Sequence, residues 1–231
     1  MYATQLEGRT FVFGSSGFLF RSNKLMYDRE TKSLWHSLTG EPVVGTLAHS
    51  GIKLKVLPVV VSTWGQWRAD HPETKVLSLD TGYRREYVPG AAYGGYFASP
   101  DTMFPVWRRS TILPTKSLVF ALSINGTPKA YHLSALERER VVNDTLGGEE
   151  IVLVAEARGR TVRAYRRGGH RFALSAEHRS VADERGTLWR VTEEALVEVG
   201  GAETVLDRVA GHVSYWFGWY VFNPRTLVYG F

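Results

Sequence analysis

Asp80, Tyr83, Arg84 and Tyr87 crowd into one short stretch, DTGYRREY. Together they offer a carboxylate acceptor, a guanidinium fork and two amphipathic rings. Such a set suits recognition of a small polar or anionic molecule. Trp35 and His36 form a second pair that could approach the same place. A reacting version of the site is an enzyme, for instance a hydrolase, using Asp80, His36 and Tyr83. The competing structural reading is that Asp80-Thr81-Gly82 is an Asx-type turn leaving a strand. No catalytic residue is assigned by these types and spacings alone.

Other candidates read more simply as scaffold. Gly14-Ser15-Ser16-Gly17 is a turn between strands rather than a nucleophile site. The seven histidines show no metal-ligand spacing, so no metal is expected. His71, before Pro72, closes a helix end. Asp28 and Glu30 share a strand face, where a carboxylate pair could do acid–base work, but a solvated face with a salt bridge is the plainer reading. The basic run ARGRTVRAYRRGGHR (157–171) places Arg163 and Tyr165 on one strand face and Val162 and Ala164 on the other. That is a half-buried strand with a solvated outer face, and it argues against a nucleic-acid surface. G-x-S-x-G, P-loop, G-x-G-x-x-G and H-E-x-x-H patterns are absent. No cofactor is implied.

Composition sets the outer bounds. The 231 residues are 44% hydrophobic and 13% aromatic, enough for a sizeable core. Net charge is +5, with 28 basic and 23 acidic residues. Cysteine is absent, which excludes disulfides, thiolate metal sites and a cysteine nucleophile. No apolar run reaches the ~18–20 residues of a membrane-spanning helix, and no signal-peptide pattern follows Met1. A cytoplasmic location follows by default.

The elements that must position these residues are mostly short strands between Gly, Ser, Asn and Pro. Strands are expected at Arg9–Phe13, Phe18–Arg21, Lys24–Asp28, Lys53–Leu57, Lys75–Leu79, Leu118–Ile124, Thr127–His132, Ile151–Glu156, Thr161–Arg166 and Arg171–Leu174. Asn125-Gly126 marks a type I′ hairpin. The last third of the chain also echoes the first. Trp35 aligns with Trp189, Trp64 with Trp216, Trp67 with Trp219, Pro72 with Pro224 and Thr74 with Thr226. Gly8-Arg9-Thr10 aligns with Gly159-Arg160-Thr161.

Each Trp-x-x-Trp predicts a short helix, capped by Ser62 or Ser214 and stopped by the proline. Its indole pair should be buried against a sheet; a carbohydrate-stacking platform is the alternative. Ser134–Glu139 is a third helix. The fold class is therefore mainly β (α+β): an internally duplicated β-rich unit with one Trp-containing helix per repeat and a pseudo-two-fold relation. Residues 1–79 form an N-terminally incomplete first repeat, 80–117 a Tyr/Gly/Pro-rich connection and 118–231 the second repeat, all in one compact domain. The first repeat has no counterpart of the strands ahead of residue 159. An uncovered strand edge and a homo-oligomer, or a connecting segment folded over the gap, are expected from that.

The pieces GRTFVFGSSGFLF (8–20), MYDRETKSLW (26–35), TGEPVVG (39–45), HPETKVLS (71–78) and DTGYRREY (80–87) resemble, in order, a family of bacterial and archaeal proteins catalogued as domain of unknown function 3179. KAYHLSAL (129–136) and VVNDTLGG (141–148) extend the resemblance into the second half. The resemblance implies no established activity. It does imply a Tyr-Cys-Pro-Leu-Cys-like segment ahead of the position of Met1 in most members. A chain without it is expected to lack any metal or redox work done there, or to be a truncated product. The functional expectations are thus a protein binding a small polar or anionic ligand or another protein, an enzyme, or a structural assembly through β edges. Membrane partners are not expected.

Overall fold

The computed structural model describes residues 1–6, 8–157, 160–201 and 204–231. Gly159 of the aligned Gly-Arg-Thr pair and Arg158 of the basic run lie outside them. In chain order the elements are β1 (Gln5–Leu6), β2 (Arg9–Thr10), β3 (Phe13–Phe20), β4 (Asn23–Asp28), β5 (Leu34–His36), β6 (Pro42–Val44), α1 (Trp64–Asp70) and α2 (Gly94–Ala98). There follow β7 (Leu118–Ile124), β8 (Thr127–His132), α3 (Leu133–Glu139), β9 (Val141–Leu146), β10 (Glu149–Ala155) and β11 (Val162–Arg166). The chain ends with β12 (Ala173–Leu174), β13 (Ser180–Ala182), β14 (Leu188–Val191), β15 (Ala195–Glu198), β16 (Val205–Val209), β17 (His212–Tyr215), α4 (Trp216–Tyr220) and β18 (Leu227–Tyr229). The protein is mainly β, as the sequence predicts. Among the described residues no helix is long and apolar enough to cross a membrane.

The largest sheet runs β12-β13-β14-β15-β16-β11-β10-β9 and curls into a near-barrel. Alternation along β10 and β11 explains why. Ile151, Leu153, Ala155, Val162 and Ala164 face outward into one core. Val152, Val154 and Tyr165 face inward and meet Phe172, Val181, Trp189, Val191 and Leu196. Both faces of these strands are buried, which forces the sheet to wrap.

The two free edges, β9 and β12, meet through one side chain. Asn143 Nδ2 donates to the Phe172 carbonyl at 2.8 Å, and the Phe172 N–H donates to Asn143 Oδ1 at 2.8 Å. An amide side chain stands in for a backbone rung. Asn143→Ala should strand both Phe172 groups and destabilise by roughly 1–3 kcal/mol, read as a lower urea midpoint. Asn143→Asp keeps only the acceptor and should fall between; an unchanged midpoint in both would show the edges are held otherwise.

A second sheet, β17-β7-β8-β18, packs on the outer face of the near-barrel. Its hairpin turns at Asn125 (φ 48°) and Gly126 (φ 76°), the conformation a type I′ turn needs. Helix α4 lies on the other face of this sheet, with Trp216 and Trp219 against Val119, Ala121 and Ala130. A third sheet is the antiparallel meander β3-β4-β5-β6, with Phe11, Trp35 and Leu54 at its core.

The halves match in local settings. Trp64 and Trp216 both open a helix. Trp67 Nε1 donates to Thr74 Oγ1 and Trp219 Nε1 to Thr226 Oγ1, each at 2.9 Å. Trp35 Nε1 donates to Asp28 Oδ2 at 2.9 Å and Trp189 Nε1 to Asp183 Oδ2 at 3.2 Å. Each aspartate also accepts backbone N–H bonds from its own hairpin turn, from Thr31 or from Arg185 and Thr187. A four-strand antiparallel meander occurs in each half, β3–β6 and β12–β15. The pseudo-two-fold and the shared core expected from the sequence are not established by these likenesses.

Several expectations need correction. Helix α1 buries no residue, and Trp64 and Trp67 are 50% and 44% exposed. Gln66, Arg68 and Asp70 interrupt it (WGQWRAD), whereas α4 (WFGWY) carries no charged residue and is apolar all round, so it must be buried. Thr63, not Ser62, caps α1, in a capping box with Gln66, and α4 has no side-chain cap. Lys53–Leu57 forms only an isolated bridge, Tyr2 with Val56, and Lys75–Leu79 forms no strand. Asp28 is fully buried rather than on a solvated face, while Glu30 pairs with Arg9 at 3.2 Å.

Lys116 is one anchor of the connecting segment, and Ser22, which donates to the Pro105 carbonyl and accepts from the Trp107 N–H, each at 3.2 Å, is another. The Lys116 ammonium donates to the carbonyls of Tyr96, Ser99 (2.6 Å) and Asp101 (3.3 Å) and lies 3.7 Å from the Tyr96 ring centroid. Carbonyl dipoles and the ring quadrupole together replace the water a lysine normally keeps.

Candidate functional site

The interior of the near-barrel is apolar in its middle and charged at one mouth. The reason is register. Arg163 and Tyr165 are two apart on β11, so both point inward, and Arg208 sits opposite Tyr165 on β16. The outer, solvated face read from the sequence for Arg163 and Tyr165 is therefore wrong: they are 3% and 0% exposed. The strand's two faces are both buried because another sheet covers the opposite one.

Arg163 is fully engaged. Its Nε and Nη2 reach Glu193 Oε1 at 2.9 and 2.5 Å, and Nη1 reaches Glu156 Oε1 at 2.9 Å. Burial alone would lower its pKa; the bonds to Glu193 and Glu156 outweigh that and raise it. Tyr165 donates to the Thr192 carbonyl at 2.5 Å and accepts from Arg208 Nη1 at 3.0 Å. Burial pushes its phenol up to about 12, so it stays neutral.

Arg208 is different. Its guanidinium lies 5.0 Å from the Tyr165 ring centroid, its Nε is buried without a hydrogen-bond partner, and among the described residues no carboxylate pairs with it. Burial lowers its pKa, yet a guanidinium remains charged at neutral pH.

This mouth opens into a cleft of roughly 1140 Å³, one wall of which is the segment carrying α1. Arg163, Arg190, Arg208, Thr192, Val60, Trp67 and His71 line it, together with the carboxylates Asp70, Glu177, Glu193 and Glu194. The Trp67 and His71 rings lie 4.0 Å apart. Polar links tie the α1 segment across. Arg179 Nη2 meets Asp70 at 2.5 Å, Gln66 donates to Glu156, and Thr161 Oγ1 donates to the Val61 carbonyl at 2.9 Å. A second cleft of roughly 470 Å³ adjoins the first and shares Arg163, His178 and Arg179. Among the described residues no cluster of His, Asp and Glu has metal-holding geometry.

The residues singled out from sequence fall elsewhere. Trp35 and His36 are both 0% exposed. The Thr39 N–H donates to His36 Nδ1 at 3.1 Å, which leaves the proton on Nε2; that atom is buried without a partner. The ring packs against Phe222, tilted by 40° with centroids 4.0 Å apart, and burial brings its pKa down to about 4. Asp80, Tyr83 and Arg84 are exposed, and Tyr87 joins Thr81 through their hydroxyls at 2.7 Å. No hydrogen bond, ion pair or ring contact among the described residues links this loop to Trp35 or His36, and its four residues line neither cleft. Sequence reasoning set Arg163 aside as solvated and did not weigh Arg190 or Arg208 as site residues. The available signal was the alternation Arg163-x-Tyr165 beside inward apolar positions on the next strand.

Fold and cleft together define a mainly β protein whose near-barrel has an arginine-lined mouth. By sequence the chain belongs to the family described as protein of unknown function DUF3179, which matches residues 1–226. No curated protein and no solved structure matches the chain.

Proposed function

We propose that this protein binds a small anionic ligand, bearing a carboxylate or phosphate, in the mouth of the near-barrel. One observation carries the reading: Arg208 is a half-buried cation lining this cleft, its Nε buried without a hydrogen-bond partner, and among the described residues it makes no salt bridge, Glu193 acting on it only at longer range. A cation partly held out of water in that state is costly, and an anion supplies charge-assisted hydrogen bonds that the protein leaves unmade. Barrel mouths are common ligand sites for a simple reason, since rigid strands fix the polar groups around an open end. Arg190, exposed on the same cleft, adds a second fork, and Trp67 gives a flat apolar wall. The sequence-derived grouping of Asp80, Tyr83, Arg84 and Tyr87 with Trp35 and His36, and the hydrolase built on it, has less support, because Trp35 and His36 are enclosed.

The test is calorimetric titration with inorganic phosphate and with citrate at constant ionic strength. Binding should weaken at least tenfold in Arg208→Gln and several-fold in Arg190→Gln, whose side chain is exposed and not needed for folding. Equal heats with chloride, or undiminished binding in both variants, would overturn the proposal.

A further inference from the structure

Strand β3 pairs with β4 on one side, and among the described residues no strand pairs with it on the other. Residues 11–20, FVFGSSGFLF, contain no charged residue and no proline. Lysine and proline are the usual means of keeping an edge from pairing. Instead the edge presents apolar surface: Val12 is 57%, Phe18 64% and Leu19 51% exposed.

The same ten residues read alike in both directions. Phe11 answers Phe20, Val12 answers Leu19, Phe13 answers Phe18, Gly14 answers Gly17 and Ser15 answers Ser16. Reversal of direction is what a two-fold axis does to antiparallel strands, because it sets one end of a strand beside the other end of its copy. About an axis through the Ser15–Ser16 bond, each rung from Val12–Leu19 inward would join side chains of one kind. Ring would meet ring, branched aliphatic would meet branched aliphatic, and glycine would meet glycine. Matched cross-strand pairs of this kind are the units that stabilise a sheet.

We infer that β3 is a self-recognition edge and that its partner is a second copy of this chain, joined antiparallel about Ser15–Ser16. The occupant follows from the pattern. An unrelated strand gains nothing from the mirrored order, whereas a second copy gains a match at each rung. The ladder is not straight. Its register shifts between Ser15 and Leu19, and Gly17 has φ +78°. Bulges bend an edge locally. Phe11 is 3% exposed and its N–H already donates to the Thr4 carbonyl at 2.8 Å, so the contact rests on the exposed flanks, Val12–Phe13 of one copy against Phe18–Leu19 of the other. One strand edge is small beside the ~1,600 Å² of a standard interface, so the dimer should be weak and concentration-dependent. This inference is independent of the ligand reading.

Sedimentation velocity on the full chain, from low to high micromolar concentration, tests it. The mean mass should rise toward a dimer, and Phe18→Lys and Leu19→Lys should each hold it at the monomer. Both side chains are exposed, so unchanged melting temperatures should accompany the loss. Absence of native cysteine gives a register test as well. Val12→Cys copies mixed with Leu19→Cys copies should oxidise to the mixed dimer faster than either alone. A monomer at every concentration, a dimer indifferent to lysine at 18 and 19, or like-with-like cross-links in excess would each overturn the inference.

Discussion

Trp216→Ala and Trp219→Ala are each expected to cost roughly 3–5 kcal/mol, while Trp64→Ala and Trp67→Ala stay within about 1 kcal/mol of wild type. The four tryptophans occupy matched sequence positions, so composition predicts four equal effects. Packing predicts otherwise. Trp216 and Trp219 are 1% and 5% exposed between α4 and the β7–β8 face, and their removal leaves a cavity among Val119, Ala121 and Ala130. Trp64 and Trp67 are about half exposed on a helix with no buried residue. Trp67 still gives up its bond to Thr74 and a wall of the cleft, so its variant should be near neutral for stability and reduced in ligand binding. Urea titrations of the four single variants decide the matter. Four equal losses would show that α1 is packed as α4 is.

Acid should destabilise the protein well before its carboxylates titrate. Burial holds both His36 and His212 down to about 4, from an ordinary 6.5. Between these values the unfolded chain takes up protons that the folded chain refuses. Stability is therefore fully present above pH 6.5 and falls as the pH drops toward 4. The loss is on the order of 3 kcal/mol for each imidazole at the bottom of that window. The buried Asp28 and Asp183 act in a lower window. Burial would raise them, but hydrogen bonds from Thr31 and Trp35, and from Trp189, Thr187 and Arg185, outweigh it and lower both pKa values. Their stabilisation is present above the usual carboxylate value and is lost only as pH falls through the depressed ones. Unfolding midpoints measured from pH 7.5 to 4 should thus slope in wild type and flatten by about half in His36→Phe, which keeps a ring against Phe222. A slope unchanged in both His36→Phe and His212→Phe would refute the assignment.

Period-two alternation, turn residues and composition were enough to establish a mainly β chain without cysteine. The Asn125-Gly126 hairpin is legible because its two positive φ angles suit few other residues. Strands β7 and β8 match their expected bounds, since both are regular and bounded by turns. The tryptophan alignment paired Thr74 with Thr226 without a reason; the structure supplies one, since each accepts the indole bond of the tryptophan seven residues before it, a local contact. Sequence likeness between Trp67 and Trp219 could not reveal that one is buried and the other half exposed. That depends on whether a sheet lies against the helix, and a sheet is assembled from distant strands.

The candidate site shows the same division. The types and alternation of Arg163, Tyr165 and Arg208 lie in the chain, and a strand with charge on one face ordinarily turns that face to water. Only the tertiary structure decided that it turns inward, because β7–β8 and α3 cover the other face with Phe120, Leu122, Tyr131, Leu133 and Leu136. Likewise His36 read as a reactive group beside an aromatic until Phe222, from the far end of the chain, enclosed it. Local chemistry sets which groups are on offer. Long-range packing sets their solvent, their charge neighbours and thus what they can bind.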